Sequence, residues 1–356
     1  MHKLSIVIPC YNEEETLETC LEKVLEISSK ELELEIIIVD DCSKDKSLEI
    51  AEQLAAKNKF IKVLKHEVNQ GKGAALRTGF QYASGDFVAV QDADLEYDPQ
   101  DLLRLIEPLK AGKAEVCLGS RFLSVGEHRA LSFWHSMGNK FLTLCSNICS
   151  DLYLTDMETC YKVFKRELIQ SIDIKENRFG FEPEVVAKIA ALKVNVIEMG
   201  ISYYGRSYDE GKKIGAKDGF RAIYCILKYN FSGRSLPMQA FIYLFIGLFA
   251  AIFNFIVFQT LYSICGLETK IAAPAAFVSA AFVNYALCKI IFQKRNWHRS
   301  IEIAVYCLVV AAVCFLDWYI TNLAINSGVN SSFAKILATG VAFIFNFLGR
   351  RFVVFK

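Results

Sequence analysis

The chain carries two hydrophobic patterns, which meet near residue 237. Before that point, short apolar runs alternate with stretches of helical period. After it, apolar segments of roughly 20 residues follow one another, each long enough to cross a bilayer. The first pattern is typical of strands and helices that alternate around a largely parallel sheet, and the second is typical of membrane-spanning helices. We therefore expect two domains of different kinds.

The first pattern predicts strands and helices in a definite order. Strands are expected at 4–9, 34–39, 60–64, 87–90, 114–118, shortly after 162, and at 194–204. Helices are expected between them, ending near residues 57, 83 and 192. Asn12 and Glu15 have the spacing of a capping box, which predicts a helix that runs from this point to about Ser28.

Acidic residues follow the strand predicted at 87–90, where that strand ends. Asp92 and Asp94 are separated by one residue, so both carboxylates point the same way in an extended chain. Carboxylate oxygens suit Mg²⁺ or Mn²⁺, and these ions also bind phosphate oxygens. Glu96 is a candidate for a third ligand. The alternative for an isolated Asp-x-Asp is a solvated acidic turn before Asp98.

Other polar residues are expected at the same edge of the sheet. Tyr11, Asp41, Lys72 and Asp92 all follow predicted strands, and ligands of open parallel sheets bind at the carboxyl ends of the strands. The loop at 69–73 is rich in glycine but matches neither of the two common nucleotide-binding motifs, so ATPase and dinucleotide interpretations are weak. Lys72 either helps to hold a diphosphate or is a solvated lysine at a helix start.

Three further segments precede the membrane half. Residues 131–154 are rich in Leu, Phe and Trp but are interrupted by polar residues, so this segment either lies on a membrane or packs against the sheet. Residues 205–213 form a basic loop with glycines, which indicates either a site for an anionic lipid headgroup or an ordinary positive anchor. Residues 216–236 are predicted to be an amphipathic interfacial helix and a linker.

Four apolar segments lie at about 238–262, 271–292, 301–325 and 332–349. Basic residues cluster around the connection between the second and third segments and at the C-terminus. The positive-inside rule therefore places both termini and the first domain in the cytosol, as an integral protein of the inner or cytoplasmic membrane.

The membrane half also contains an internal repeat. Asn284 and Lys289 have the same five-residue spacing as Asn346 and Arg351, which indicates two helix hairpins in parallel orientation. Asp317 lies within the third segment. It is a functional candidate because polar residues are costly inside a membrane, and an interhelical hydrogen bond is the alternative.

Composition excludes some classes of protein. The formal net charge of +1 over 356 residues gives no indication of a nucleic-acid-binding surface. The 12 cysteines include no Cys-x-x-Cys pair, so a zinc site is not indicated and reduced thiols are expected.

Several motifs in a fixed order resemble a known family. IPCYNE, VDD, NQGKG, DAD, GSRF and DMETCYK resemble family-2 glycosyltransferases with the GT-A fold, in particular dolichol-phosphate mannose synthases and bacterial polyprenyl-phosphate glucosyltransferases. The later run YYGRSYDEGKKIGAKDG is also typical of that group. Residues 238–356 resemble the GtrA-like four-helix membrane family. The resemblance implies a Rossmann-like α/β GT-A domain at 1–215, the interfacial segment at 216–236, and an all-α transmembrane domain at 237–356.

The resemblance also implies roles for individual residues. The residues expected to bind the nucleotide sugar are Pro9, Tyr11, Asn12, Glu13, Asp41, Lys72, Asp92 and Glu182. The metal would be held by Asp92, Asp94 and Glu96. The phosphate of the lipid would be held by Ser120, Arg121, Arg129, Arg206, Lys212 and Lys213. The catalytic residues would be Asp94, Asp156 and Arg121, with Asp156 near the donor sugar or the acceptor.

The implied reaction is a metal-dependent, inverting transfer of a hexose from GDP-mannose or UDP-glucose to polyprenyl or dolichyl phosphate on the cytosolic leaflet. The expected cofactor is Mg²⁺ or Mn²⁺, the expected surroundings are membrane lipid, and a homo-oligomer is possible. A processive polysaccharide synthase is disfavoured because residues 293–297 do not have the order of its Gln-x-x-Arg-Trp motif. The alternative function is transport of the lipid-linked sugar by the membrane half.

Overall fold

The computed structural model describes residues 2–123, 131–205, 216–231, 236–292 and 297–355. The chain divides into two compact units, Met1–Asn230 and Phe231–Lys356. Each unit has its own arrangement of secondary structure.

The first unit is built on a sheet that has seven strands among the described residues, in the order β3-β2-β1-β4-β6-β5-β7. The strands are β1 His2–Cys10, β2 Leu32–Asp40, β3 Ile61–Lys65, β4 Phe87–Val90, β5 Val116–Ser120, β6 Lys162–Lys165 and β7 Val196–Gly200. β6 runs antiparallel to β4 and β5, and the other pairs are parallel. The predicted α/β fold with a mainly parallel sheet is confirmed.

Helices cover the sheet and explain the continuous apolar runs. Residues 36–39 of β2 and 88–90 of β4 are completely buried, as expected for strands that are covered on both faces. The helices of this unit are α1 Leu17–Glu26, α2 Ser47–Lys57, α3 Lys72–Tyr82, α4 Gln100–Leu105, α5 Glu107–Lys110, α6 Phe133–Ser150, α7 Arg166–Ser171, α8 Phe181–Leu192 and α9 Ala216–Phe231.

The predicted capping box at Asn12 is wrong. Helix α1 begins at Leu17, and its N-cap residue Thr16 makes no side-chain capping bond. Asn12 instead has a left-handed backbone with φ of 54°, a conformation that Asn tolerates well. Its Oδ1 accepts a 2.8 Å hydrogen bond from the backbone N–H of Lys44, so the side chain joins two loops at the strand ends.

Helix α6 accounts for the ambiguous segment at 131–154. Its inward face is polar or small, with Thr143, Ser146 and Cys149 buried. Its outward face carries an exposed stripe of apolar side chains at helical spacing. We call this set the apolar stripe of α6, and it consists of Trp134, Met137, Phe141, Leu144 and Ile148. The segment therefore packs on the first unit through its polar side and leaves its apolar side uncovered.

The second unit is helical. It consists of α10 Leu236–Gln259, α11 Thr269–Ile291, α12 Arg299–Asn326 and α13 Ser331–Leu348, with short π-helical segments at Thr260–Ile264 and Gly349–Val354. Within the described residues, one window long and apolar enough to cross a membrane was found, at Arg299–Leu316 with a mean hydropathy of 2.0. The side chain of Asp317 lies outside the described residues.

Candidate active site

A lysine and two carboxylates meet at the carboxyl end of β4. Lys72 is the first residue of α3, and its Nζ lies 2.9 Å from Asp92 Oδ1 and 3.4 Å from Glu182 Oε1. Burial opposes the charged form of Lys72, but Asp92 outweighs it, so the pKa of the lysine is raised well above its usual value. The site thus holds a permanent positive charge beside carboxylates that are only partly exposed.

Asp41 shapes the glycine loop that delivers Lys72. Its carboxylate accepts hydrogen bonds from the backbone N–H groups of Gly71 at 2.6 Å and of Gln70 at 2.9 Å. His66 Nδ1 lies 2.7 Å from the same carboxylate. Gly71 has φ of 100°, a conformation that favours glycine, so the turn requires this residue type. These three contacts occupy most of the positions at which the Asp41 carboxylate can accept a hydrogen bond. The expected contact between Asp41 and a nucleotide stays a prediction.

The end of β1 lies beside this loop. Pro9 is paired with Val39 in the sheet, and Tyr11 is half-buried just beyond the strand. The backbone N–H of Glu13 donates to Ser47 Oγ at 2.8 Å, which ties the segment to α2. The structure therefore brings these three predicted nucleotide-binding residues to the same edge of the sheet as Asp41 and Asp92.

The predicted metal ligands lie in one tight turn. Asp94 Oδ1 accepts a 3.2 Å hydrogen bond from the backbone N–H of Glu96, and the intervening Leu95 has φ of 61°. Tyr203 Oη donates to Glu96 Oε2 at 2.9 Å. In the part of the chain that the structure describes, no group of three or more His, Cys, Asp or Glu residues is arranged to hold a metal ion alone.

The chemistry of the donor set still fits a divalent ion that arrives with a diphosphate. Mg²⁺ in phosphate-binding sites is usually held by one or two carboxylates together with phosphate oxygens, so a three-carboxylate cage is not required. Asp92 and Asp94 supply hard oxygen donors at the strand end. Glu96 already accepts a hydrogen bond from a tyrosine, and its role as a ligand stays a prediction.

A second charged pair lies at the end of β5. Arg121 Nε donates to Asp156 Oδ2 at 2.7 Å, and its NH2 group donates to Oδ1 at 2.8 Å. The backbone N–H of Arg121 donates to Oδ2 as well, at 3.0 Å. Burial opposes the charge on Asp156, but Arg121 outweighs it and holds the pKa of the carboxyl below its usual value. Asp156 is completely buried and faces the arginine, so it lies behind Arg121 rather than in the open site.

Two residues that the sequence did not single out hold Asp156 in place. Asn139 on α6 donates to Asp156 Oδ1 at 3.1 Å. Glu198 on β7 accepts hydrogen bonds from the backbone N–H groups of Thr155 at 2.9 Å and Asp156 at 3.0 Å. Ser120, predicted to bind the lipid phosphate, is completely buried, and its hydroxyl lies 2.6 Å from that of Thr155.

A group of tyrosines links the turn of Asp94 and Glu96 to the Arg121–Asp156 pair. The ring of Tyr97 stacks on Tyr161 at 4.7 Å and packs against Tyr203 at 5.1 Å. The guanidinium of Arg121 lies 5.1 Å from the centre of the Tyr203 ring, within the range of a cation–π contact. Tyr203 also donates to Glu96, so one side chain touches both the acidic turn and the arginine. Tyr161 and Tyr203 stand within the quoted motifs DMETCYK and YYGRSYDEGKKIGAKDG, but nothing in the sequence indicated that they meet Tyr97.

Glu158 and Glu182 each bring an unbonded carboxylate oxygen into the interior. Glu158 Oε1 and Glu182 Oε2 are buried without a hydrogen-bond partner among the described residues. Burial, followed by the charge of Glu182, raises the pKa of Glu158 to about 8. Glu158 is therefore mostly protonated at neutral pH, and its proton can serve as a hydrogen-bond donor.

The segment 174–178 lies between the glycine loop and helix α9 and makes hydrogen bonds to both. Glu176 accepts hydrogen bonds from Arg221 NH2 at 2.5 Å, Tyr229 Oη at 2.6 Å and Lys228 Nζ at 3.1 Å. Burial raises the pKa of Glu176, but these partners outweigh it and lower the pKa to about 2. On the other side, the carbonyl of Asn177 accepts from the backbone N–H of Ala74 at 3.1 Å. The buried carboxylate thus fastens α9 to the segment that packs on the loop of Lys72.

Four predicted lipid-phosphate residues, Arg129, Arg206, Lys212 and Lys213, lie outside the described residues.

Comparison with known protein families gives two matches. Residues 5–172 match the model described as glycosyl transferase family 2, and residues 242–355 match the model described as the GtrA/DPMS transmembrane domain.

Named relatives share the first unit. A dolichol-phosphate mannosyltransferase of Pyrococcus furiosus is 29% identical over 64% of this chain, and the chain spans 64% of its length. An undecaprenyl-phosphate 4-deoxy-4-formamido-L-arabinose transferase of Photorhabdus laumondii is 31% identical over 59% of this chain and 62% of that protein. An undecaprenyl-phosphate mannosyltransferase of Micrococcus luteus is 26% identical over 66% of this chain and 96% of that protein.

Among solved structures, glucosyl-3-phosphoglycerate synthase from Mycobacterium tuberculosis, in complex with Mn²⁺, uridine diphosphate and phosphoglyceric acid, is similar. It is 20% identical, covers 66% of this chain and 80% of its own, and gives a TM-score of 0.52. This likeness shows the fold, and the GT-A fold expected from the sequence is confirmed.

Proposed function

Since the chain joins a domain of glycosyl transferase family 2 to a GtrA/DPMS transmembrane domain, we propose that it transfers a hexose to a polyprenyl phosphate. The transmembrane domain makes it a membrane protein. The donor in this proposal is GDP-mannose or UDP-glucose, and the product is a lipid-linked sugar on the cytosolic leaflet. The names of the relatives support the lipid acceptor, since three of them act on dolichol phosphate or undecaprenyl phosphate.

The observation that carries the proposal is the two-sided helix α6. Its polar side places Asn139 on the Arg121–Asp156 pair. Its other side leaves Trp134 81% exposed and Phe141 55% exposed. A polyprenyl phosphate must keep its apolar tail in the membrane while its phosphate enters the site. A helix with an apolar face toward the lipid and a polar face toward the arginine meets both requirements.

The residues of the site fit the chemistry of the transfer. The attacking phosphate monoester has a second pKa near ~6, so it is mostly ionised at neutral pH and needs little help from a general base. It must be held close to the donor diphosphate, which repels it. Asp156 takes two of the five N–H donors of the Arg121 guanidinium, and in this proposal others of the five bind the phosphate.

On the donor side, Lys72 supplies a positive charge near the diphosphate, with Asp92 as its partner in the free protein. Asp92 and Asp94 would hold Mg²⁺ or Mn²⁺, which when bound stabilises the negative charge on the leaving diphosphate. Asp156 acts through Arg121 in this proposal, as a positioning residue rather than a base. In this proposal Glu158 and Glu182 recognise hydroxyl groups of the sugar, and each has a carboxylate oxygen without a hydrogen-bond partner among the described residues.

The role of α6 is tested with substitutions in its apolar stripe. Phe141→Ser and Leu144→Ser should lower turnover of a long-chain polyprenyl phosphate embedded in a bilayer, yet spare a short, water-soluble acceptor. Phe60→Ser is the matched control, because Phe60 is 42% exposed outside α6. Equal loss with both acceptors, or no loss with either, would contradict this use of the helix.

A second candidate function is movement of the lipid-linked sugar across the membrane by the second unit. Polar side chains at Asn254, Asn284 and Asn346 within its helices favour this candidate, since such residues are costly in hydrocarbon. Reconstitution in liposomes with a labelled lipid-linked sugar tests it, with Asp317→Ala as the comparison. If the labelled lipid crosses the membrane equally fast in liposomes with and without the protein, this candidate function would be wrong.

A further inference from the structure

Residues of α10, α11, α12 and α13, with Arg350 just after α13, line a half-open cavity of about 250 Å³ in the second unit. Its wall is mostly made of small apolar side chains, among them Ala250, Ala280 and Val310. The polar part of the wall consists of Asn254, Asn284, Asn346, Tyr306 and Arg350. One water needs roughly 10–15 Å³ of such space, so the cavity has room for several waters or for a phosphate group.

Arg350 is the charged residue among the described residues that line this cavity. Only 5% of the residue is exposed. Its Nε donates to Asn346 Oδ1 at 2.9 Å, and its NH1 group donates to Asn284 Oδ1. Its guanidinium lies 4.7 Å from the centre of the Tyr306 ring and 5.6 Å from that of Tyr243. Each of these partners is neutral.

The charge of Arg350 lacks a carboxylate partner within the described residues. Glu302 of α12 is a buried carboxylate in the same unit, but it accepts from Tyr285 Oη at 2.5 Å and lies 3.4 Å from Lys289 Nζ. It is therefore paired with another base. The amides and aromatic rings around Arg350 satisfy the hydrogen bonds of its guanidinium. Because these groups are neutral, they leave its positive charge uncompensated.

An anion would complete this arrangement. An arginine buried at the end of a membrane-spanning helix is costly without an opposite charge, and such residues usually pair with one or mark a ligand pathway. Guanidinium matches the geometry of phosphate oxygens, and the Asn amides add N–H donors at the same wall. We propose that the cavity around Arg350 binds a phosphate group. The phosphate can come from a polyprenyl phosphate, from an ordinary anionic phospholipid, or from free phosphate.

This proposal concerns the second unit and does not require that the first unit transfers a sugar. The test uses the full chain, purified in detergent and stripped of lipid, with binding measured by native mass spectrometry. The probes are polyprenyl phosphate, phosphatidylglycerol, uncharged polyprenol and inorganic phosphate. Tighter binding of a phosphate-bearing probe than of polyprenol supports the proposal, and the preferred probe identifies the source of the phosphate. Equal binding of polyprenol and polyprenyl phosphate, with no binding of the other two probes, would overturn it.

The matched pair of variants is Arg350→Gln and Arg351→Gln. Arg351 is the next residue, is only partly buried, and donates to Gln239 Oε1 at 2.8 Å without lining the cavity. Losing charge-assisted bonds to phosphate should weaken binding of the preferred probe by about 10- to 100-fold in Arg350→Gln. Arg351→Gln should change it by less than about twofold. Equal affinities in the two variants would contradict the assignment to Arg350.

A cross-linking measurement on the chain with Arg350 intact covers the case in which Arg350→Gln does not fold. A photoreactive phenylalanine derivative at Val310, which lines the cavity, should label a radioactive polyprenyl phosphate or phospholipid, whichever binds more tightly. The same group at Leu308, which is 68% exposed and does not line it, is the control. Inorganic phosphate or excess phosphate lipid should abolish the label at Val310 only. Labelling that is equal at both positions and insensitive to these competitors would refute the site.

Discussion

Replacing Asp156 with Asn tests whether this residue acts through Arg121. The substitution keeps the shape of the side chain but removes the charge that faces the guanidinium. Asp156 is completely buried and Arg121 is 15% exposed at its side chain, so water cannot replace the lost partner. Breaking a buried ion pair by removing one member costs about 3–5 kcal/mol of unfolding free energy. In a unit of this size, 1 kcal/mol corresponds to roughly 2–4 °C in Tm, so we expect a decrease of about 6–20 °C.

Asp156→Asn should lower kcat/KM by more than the loss of a contact far from the reacting groups would. Arg121 loses its bidentate partner and moves, and a displacement of about 1 Å at a reacting group can cost roughly 100-fold. We therefore expect kcat/KM for the lipid phosphate to fall by about two orders of magnitude. Arg121→Lys should fall into the same range, because an ammonium group cannot make the two parallel bonds.

Two assays check these values. Thermal unfolding in detergent can be followed with a thiol-reactive dye, since buried cysteines such as Cys117 and Cys160 become accessible only on unfolding. Transfer is measured with varied lipid phosphate at saturating donor. Glu115→Gln is the control, because it removes a carboxylate just before β5 at the opposite edge of the sheet, where Glu115 is paired with Lys165. An Asp156→Asn protein with the Tm and kcat/KM of the parent would refute the reasoning.

The pH dependence of this pair follows from the direction of the pKa shift. The pKa of Asp156 is lowered in the folded protein. Its stabilising contribution is therefore fully present above about pH 4, the ordinary value, and is lost as the pH falls through the lowered pKa. The Tm difference between the parent and Asp156→Asn should accordingly narrow in acid and stay constant between pH 6 and 8.

Two further predictions concern other carboxylates. Glu176→Gln should loosen α9 from the segment that packs on the glycine loop, so the KM for the nucleotide sugar should rise several-fold with a smaller change in kcat. Glu167→Gln, on the neighbouring helix α7, should leave both constants unchanged. Glu158 has a pKa raised to about 8, so the folded state keeps a proton that the unfolded state loses, and stability should fall by up to ~1.4 kcal/mol per unit between about pH 5 and 8. Glu158→Gln should remove this slope in thermal unfolding scans, and a slope equal to that of the parent would contradict the shift.

The sequence predicted the elements that local patterns control. Apolar runs marked the strands, and polar residues after those runs marked the edge where Asp41, Lys72 and Asp92 meet. The antiparallel direction of β6 could not be predicted, because a strand of four residues carries no local signal of its direction. The capping box failed since Asn12 is held by Lys44, a residue 32 positions away.

Contacts between residues far apart in the sequence could not be predicted either. The motifs pointed to Arg121 and Asp156 separately, as residues for the lipid phosphate and for the sugar. The structure joins them into one pair over 35 positions. The contacts of Tyr203 and Glu198 could not be predicted, although Tyr203 begins a quoted motif, because they arise only when β7 lies beside β5 and the acidic turn. The alternation of polar and apolar residues identifies the buried face of a strand or helix. It does not show which other element packs against that face.

The most direct test of the proposed function is transfer of labelled sugar by the purified full chain. Labelled UDP-glucose and GDP-mannose are offered in parallel, with polyprenyl phosphate and either Mg²⁺ or Mn²⁺, and with Asp92→Ala as the blank. We predict a lipid-extractable product from one donor, which disappears on chelation of the metal and in the blank. Release of nucleotide from a donor without any lipid product would contradict the assignment of the lipid phosphate as acceptor.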